Sequence, residues 1–536
     1  MNDASQVRTR ETAARPGVNP WLVALVVSMA TFMEVLDTSI ANVALPHIAG
    51  GLSATTDEAT WVLTSYLVSN AIILPASGWL ATVFGRKRFY MTCVALFSVS
   101  SLLCGFAPSL GMLVFFRVLQ GLGGGGLAPS EQSILADTFP PQKRGMAFAL
   151  YGIAVVVAPA VGPTLGGWIT DNYSWRWLFF INIPVGAVSL FLTHRLVQDP
   201  PHVTQERKRR LHERGYRADF WGFGLIAIGL GCLQIVLDKG QREDWFASTF
   251  IIILSIIAGG ALLFGCISEM VSDEPVVELS LLKRRTILMA NIIMFMIGVV
   301  LFGSTVLIPL FLQELMGYTA TRAGLVITPG GFVVMGLMPL VGFLVSRVQA
   351  RYLVAFGLLL SGIALYHMTS FSLDIDYSTA MWARIYQASA LAFLFVPINT
   401  AAYSEVPPEK SNNFSALLNL SRNLGGSFGI SIAQALLNAR AQFHQSVLVS
   451  RLTPYNHGFA ARISGIARSL SHRMEIGPVH AVQQAYGVIY SQVQRQAGML
   501  SYLDVFWALS ILCFCLVPLV FIMKANKPGG GPAMAH

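Results

Sequence analysis

FFRVLQG at 115–121 and WARIYQA at 382–388 place an arginine three residues before a glutamine, Arg117/Gln120 and Arg384/Gln387, inside two otherwise apolar segments. The same offset of 267 carries Pro140, Pro141, Gln142 and Lys143 onto Pro407, Pro408, Glu409 and Lys410. It also carries the small-residue ladder Ala158, Gly162, Gly166 onto Gly425, Gly429, Ala433. Repetition at a fixed offset signals repeated architecture. The first arginine lies in the fourth apolar segment and its copy in the twelfth, whereas two parallel halves of six would return the fourth as the tenth. Two further segments, within 219–270, are therefore inserted between the halves. Parallel halves are the plan of secondary transporters that rock around a midplane site.

The chain has 536 residues, 54% of them hydrophobic and only 12% charged, and its mean hydropathy is +0.60. Soluble domains carry about 25% charged residues, so this is a membrane protein. A bilayer core about 30 Å thick takes about 20 apolar residues per helix, and fourteen such segments can be read. The expected fold is an all-α polytopic membrane protein with 14 transmembrane helices. Its parts are an N-terminal tail (1–20), a first six-helix half (21–200), a basic linker (201–218), two inserted helices (219–270), a second half (271–523) and a C-terminal tail (524–536). The net charge of +9 does not indicate nucleic acid: with the N-terminus in the cytoplasm, 23 of the 36 Lys and Arg fall on the inner side. This is the positive-inside asymmetry, and an even number of spans puts both termini inside. All six cysteines fall within apolar segments, which argues against disulfides and metal ligation.

The first segment contains FMEVLDTSIANVALP (32–46), with Glu34, Asp37 and Asn42. Intramembrane acids cost about 2.5–3.5 kcal/mol on insertion scales and mark functional sites by default. Glu34 and Asp37, three apart, share a helix face, while Asn42 is turned from Asp37 by about 140°. Counted from the nearer segment ends at about 1.5 Å per residue, Asp37 lies on the order of 12 Å deep and Arg117 on the order of 11 Å deep. Burial favours the neutral carboxyl and a nearby guanidinium the anion, so passage between the two environments loads and releases a proton. The ninth segment carries no acid, so the repeat does not itself require one. The alternative is a permanent Asp37–Arg117 pair that only fixes packing.

Other motifs are less specific. APAVGPTLGG, at 158–167, combines the ladder Ala158, Gly162, Gly166 with Pro159, Pro163 and Gly167. Small residues four apart let helices approach closely, and each proline removes a backbone hydrogen bond. GWLATVFGRKR, at 78–88, joins Gly78 and Gly85 to Arg86 and Lys87, a tight basic turn weakly echoed by GFLVSRVQAR from Gly342 and suited to a latch between helices. GLGGGG, at 121–126, matches a dinucleotide fingerprint only formally, because no strand precedes it.

With LDTSIANVALP (36–46), RVLQG (117–121) and WRWLFFINIPVG (175–186), these motifs resemble the major facilitator superfamily, specifically its fourteen-spanner drug:proton antiporters, the EmrB/QacA group. Within that group the chain is most similar to inner-membrane pumps of tripartite efflux systems. The resemblance covers the first half densely. It implies proton coupling by Asp37, Arg117 and Glu34, an exporter-type motif at Ala158, Pro159, Gly162, Pro163, Gly166 and Gly167, and no cofactor. It also implies multidrug export, with hydrophobic drug-like substrates, protons, a periplasmic membrane-fusion adaptor, an outer-membrane channel and the lipid bilayer as partners. Thr82 stands where the superfamily commonly has an aspartate.

Candidate substrate-cavity residues are Glu34, Asn42, Gln387, Asn399, Asn419 and Asn423. Export of one specific metabolite or siderophore on the same fold is the alternative function. A membrane enzyme is disfavoured, because the aqueous loops carry no recognisable nucleophile, metal or cofactor signature. The inserted helices are expected to be peripheral to transport, with Gln234 and Asp238 as solvated anchors. The long outer segment 438–500, with six arginines against Glu475 alone, is expected to engage the adaptor. Val482, Tyr486, Ile489 and Val493 give it an amphipathic helix, and packing over the transporter's own mouth is the alternative.

Overall fold

The computed structural model describes residues 17–213, 219–404, 406–453, 455–474 and 477–523. Glu475 and most of both expected tails lie outside them. Fourteen long helices form the bundle: α1 (Pro20–Gly51), α2 (Trp61–Phe84), α3 (Arg86–Phe106), α4 (Leu110–Thr138), α5 (Arg144–Asn172), α6 (Trp177–Leu196) and α7 (Phe220–Lys239), then α8 (Thr249–Val271), α9 (Arg285–Leu315), α10 (Ala320–Leu344), α11 (Ala350–Met368), α12 (Tyr377–Ser404), α13 (Ser411–Ser450) and α14 (Pro478–Val520). Among the described residues, thirteen helices are long and apolar enough to cross a membrane. The fourteenth, α13, falls short in hydropathy because Asn412, Ser415, Asn419, Arg422, Asn423 and Ser427 make it polar where it meets the first half.

Packing follows the repeat. The pairs α1/α5, α2/α4, α3/α4 and α3/α6 recur in the second half as α9/α13, α10/α12, α11/α12 and α11/α14. The halves meet along two equivalent seams, α5 against α10 and α13 against α2. At Gly125 and Gly126 the α4 helix breaks. A Cβ on Gly123 would lie 2.7 Å from the Phe97 nitrogen, and one on Gly125 would lie 2.7 Å from the Asn70 carbonyl oxygen. The glycine run thus lets α2 and α3 press on α4 from two sides.

At the end of the bundle where both described termini lie, the halves touch through backbone. A Cβ on Gly145 of α5 would sit 2.7 Å from the Gly342 oxygen of α10, and one on Gly78 of α2 would sit 2.7 Å from the Asn413 Cα of α13. Ser133 and Ser415 hydroxyls pair across the same end at 2.7 Å. The Gly78–Arg88 turn is held at its basic end within the first half. Gly85 takes φ +90°, Arg86 pairs with Asp137, Lys87 N–H donates to Asp199 at 2.8 Å, and Lys87 Nζ donates to the His194 carbonyl at 2.8 Å. Thr82 accepts from Asn412 of the other half at 3.5 Å.

The segment 438–500 is not a loop. Helices α13 and α14 run for 40 and 43 residues, about 60 and 65 Å at 1.5 Å per residue, roughly twice the hydrocarbon thickness. They project from the bundle as a pair, and the helix His457–Met474 packs on α14. Ile463, Ala467, Ala481, Ala485, Ile489 and Val493 make its core, with Leu448, Leu452 and Phe459 around it. The expected amphipathic face is therefore half right: Ile489 and Val493 are buried, but Val482 and Tyr486 are exposed, and alanines take the buried positions because the short helix comes close. Packing over the mouth is corrected likewise, since the short helix rests on the projecting helices. The base is clamped by Arg440 and His444, 2.5 and 2.7 Å from Asp504.

Candidate functional site

Asp37 and Arg117 meet at the centre of the first half. Arg117 Nη1 donates to Asp37 Oδ2 at 2.5 Å, while Gln120 Nε2 and Asn182 Nδ2 donate to Oδ1 at 3.0 and 2.7 Å. Arg117 also donates from Nε to the Val62 carbonyl at 3.0 Å and from Nη1 to Gln120 at 2.8 Å, and its guanidinium lies 4.4 Å from the Tyr66 ring centroid. Both charged groups are buried. Every polar contact to this carboxylate comes from a donor, as an ionised acid requires. In the second half Arg384 binds Gln387, and Gln387 donates to Ser304. The repeat offset places Ser304 at the position of Asp37, so the same scaffold is built there around a neutral hydroxyl.

A cavity of about 470 Å³ lies on the far side of this pair from the termini. Its wall includes Asn42, Arg117, Pro159, Pro163, Thr305 and Ser427. The bend-forming prolines thus face open space, while Gly162 and Gly166 face α1, where a Cβ on Gly166 would lie 3.1 Å from Ile40. Ala158 is buried and Gly167 faces Thr321 of α10, so α5 is a hinge-like strut between α1 and the second half.

Of the six expected cavity residues, only Asn42 lines this space. Gln387 is buried in the Arg384 network, and Asn399 donates to the carbonyl of Phe395 one turn earlier. Asn419 is buried between Tyr151 and Gln132, and Asn423 bridges to Asn70 of α2. Glu34 accepts from Tyr66 at 3.1 Å and Asn70 at 3.3 Å rather than facing the cavity. Sequence position identified these groups as intramembrane and polar, but their helix faces point into packing. Two buried charges on this central axis were missed, Glu131 on α4 and Arg422 on α13. Screening the full length of every span for ionisable residues, the second part of the fourth included, would have found them.

The inserted helices also require correction. Helix α7 packs against α2 and α13, and its Gln234, Leu237, Asp238 and Lys239 line the cavity. Asp238 accepts from Thr64, Lys239 donates to Thr60, and Gln234 accepts from Ser427 at 2.9 Å. Polar side chains of α7 are thus bonded to both halves, and only α8 is outlying. We expect Leu237→Cys to react with a water-soluble maleimide and to be protected by transported substrate, while Ile256→Cys on the outer face of α8 shows no protection. Equal labelling of Leu237→Cys with and without substrate would return α7 to the periphery.

The residues 27–430 match the model of the Major Facilitator Superfamily. The chain belongs to this superfamily. It is a membrane transporter rather than an enzyme. It is 37% identical over 517 residues to the multidrug export protein EmrB of Escherichia coli K12, covering 96% of this chain and 98% of that one. It is also 37% identical over 514 residues to the fatty acid resistance protein FarB of Neisseria gonorrhoeae, covering 95% and 97%. The proton:xylose symporter XylE superposes with a TM-score of 0.59 at 12% identity, covering 93% of this chain and 96% of that one, a likeness of fold. The superfamily's two halves, with two helices added, account for the architecture described above.

Proposed function

We propose that this transporter exports hydrophobic, drug-like compounds in exchange for protons across a Gram-negative inner membrane, both termini in the cytoplasm, with Asp37 as proton carrier and Arg117 as its switching partner. One observation carries the reading: Arg117, paired to a buried acid, also lines a largely apolar cavity built from both halves. Substrate entering that space can therefore act on the ion pair. In a pump-deficient host, expression should lower accumulation of a fluorescent apolar dye, and a protonophore should abolish the effect. Protonophore-insensitive export would exclude proton coupling.

The projecting helices supply a docking surface for a membrane-anchored adaptor leading to an outer-membrane channel. Arg451, Arg462 and Arg468 are exposed on the projection. Deleting the short helix would destroy the core that contains Ala481 and Ala485, so charge reversal is the better test. Arg462→Glu with Arg468→Glu should reduce adaptor capture while leaving membrane insertion unchanged; undiminished capture would remove this surface from the assembly.

A further inference from the structure

In the conformation described here both oxygens of Asp37 are engaged by donors. Its oxygens receive Arg117, Gln120 and Asn182, all donors, and one anion facing one guanidinium is already neutral. A second carboxylate cluster lies nearer the terminal end. Glu131 on α4 is fully buried, and its Oε1 accepts from Ser28 of α1 at 2.5 Å. Its Oε2 is buried, and the Thr31 hydroxyl of α1 is the hydrogen-bonding group beside it. Ser28 and Thr31 precede Asp37 by nine and six residues on α1, which places Glu131 on the order of 10 Å from the Asp37 level.

Two charged groups act on Glu131 through space: Glu34 of α1 and Arg422 of α13. Tyr90 of α3 and Tyr151 of α5 also face it. Arg422 makes no ion pair with either acid among the described residues. It donates instead to Tyr151 and, at 3.4 Å, to Asn423, whose amide reaches Asn70, a donor to Glu34. The cluster thus holds two acids from the first half and one cation from the second. A net buried charge is strongly unfavourable, and one bound proton removes it. The repeat shows that packing does not demand these groups, since the offset puts Ile398 at the place of Glu131, Leu301 at that of Glu34 and Val155 at that of Arg422.

We propose that Glu34, Glu131 and Arg422 form a second proton-binding site, adjoining Asp37–Arg117 through Glu34 and Tyr66, in which Glu131 holds one exchangeable proton across the seam between the halves. This rests on the reading of the protein as proton-driven and gives that reading a second station. Because the acids and the cation belong to different halves, rocking at the terminal end changes their separation and hence the hold on the proton. Removing either acid leaves a balanced pair, and removing the arginine leaves two acids that must both be neutral.

Infrared difference spectroscopy on the purified full-length protein, in water and in deuterium oxide, reads protonated carboxyl groups without any substrate. The carboxyl band of this site should be present in the wild type at neutral pH and absent in both Glu131→Gln and Glu34→Gln. It should be unchanged when Asp37→Asn is combined with Arg117→Gln, which removes both charges of the neighbouring pair, and about doubled in Arg422→Gln, as charge balance requires. The glutamine variants move the band down and the arginine variant moves it up, so general loss of structure cannot imitate the pattern. A band that survives both glutamine variants, or that disappears in the Asp37→Asn, Arg117→Gln double variant, would overturn the proposal. Failure of protonophore to affect export by the wild type would instead overturn proton coupling and leave the band assignment standing.

Discussion

Proteoliposomes containing Asp37→Asn should show no export driven by a pH gradient while still binding substrate. Asparagine matches aspartate in shape and can accept from Arg117 through its amide oxygen, while its amide nitrogen replaces the oxygen that received Gln120 and Asn182, and it cannot take up or release a proton. The cost is a guanidinium, fully buried, that faces no anion. Removing one member of a buried ion pair destabilises by about 3–5 kcal/mol, reduced here by the bonds from Arg117 to Val62 and Gln120. Stability and coupling can therefore be separated with a second variant. Asp37→Asn combined with Arg117→Gln removes both charges and should recover thermal stability without recovering uphill export. Normal uphill export by either protein would sink the assignment of Asp37. Recovery of transport together with stability in the double variant would show that the pair serves packing alone.

Gly145→Val should reduce transport strongly without preventing insertion. The missing side chain at Gly145 lets α5 meet α10 backbone to backbone, and any Cβ there would lie 2.7 Å from the Gly342 oxygen. Overpacking of this kind costs about 1–3 kcal/mol. The cost applies to one conformation only, the one in which the halves touch at the terminal end, so it shifts the balance between conformations by roughly 5–150-fold. Gly145 lies in the first turn of its helix, where valine is tolerated, so the protein should remain folded. Ser415→Cys reports the same change independently. Its hydroxyl is buried against Ser133 in the closed end, and it should become reactive from the terminal side in the Gly145→Val background. Unaltered transport with Ser415→Cys still protected would show that this contact does not gate the pathway.

The central pair was legible because membranes make charge placement informative. An aspartate and an arginine at matching depth in the first and fourth apolar segments have few favourable places to go except toward each other. The cavity residues were less accessible to the same reasoning. Gln387 and Asn419 are as polar as Asn42, but each is consumed by bonds to partners hundreds of positions or one helical turn away. The polar face of α13 lowered its hydropathy below that of the other thirteen, so its place among the fourteen segments read from apolar length is supported by the repeat offset more than by apolarity. In the projection, the large apolar residues Val482 and Tyr486 drew attention, yet helices in close contact bury alanine and leave the larger side chains outside.

The sequence by itself determined the membrane class, the two parallel halves, the inserted pair and the acid–arginine partnership. All of these follow from local physics: apolar run length, a recurring pattern and the cost of charge in lipid. The tertiary structure alone decided that α7 stands in the cavity wall, that 438–500 is a helical projection, and that Glu131 faces Arg422 across the seam. Each depends on the rotation of one helix against another. A helix completes a turn every 3.6 residues, so a small change in rotation moves a side chain from lipid to seam, and that rotation is fixed by the sum of many distant contacts rather than by any local motif.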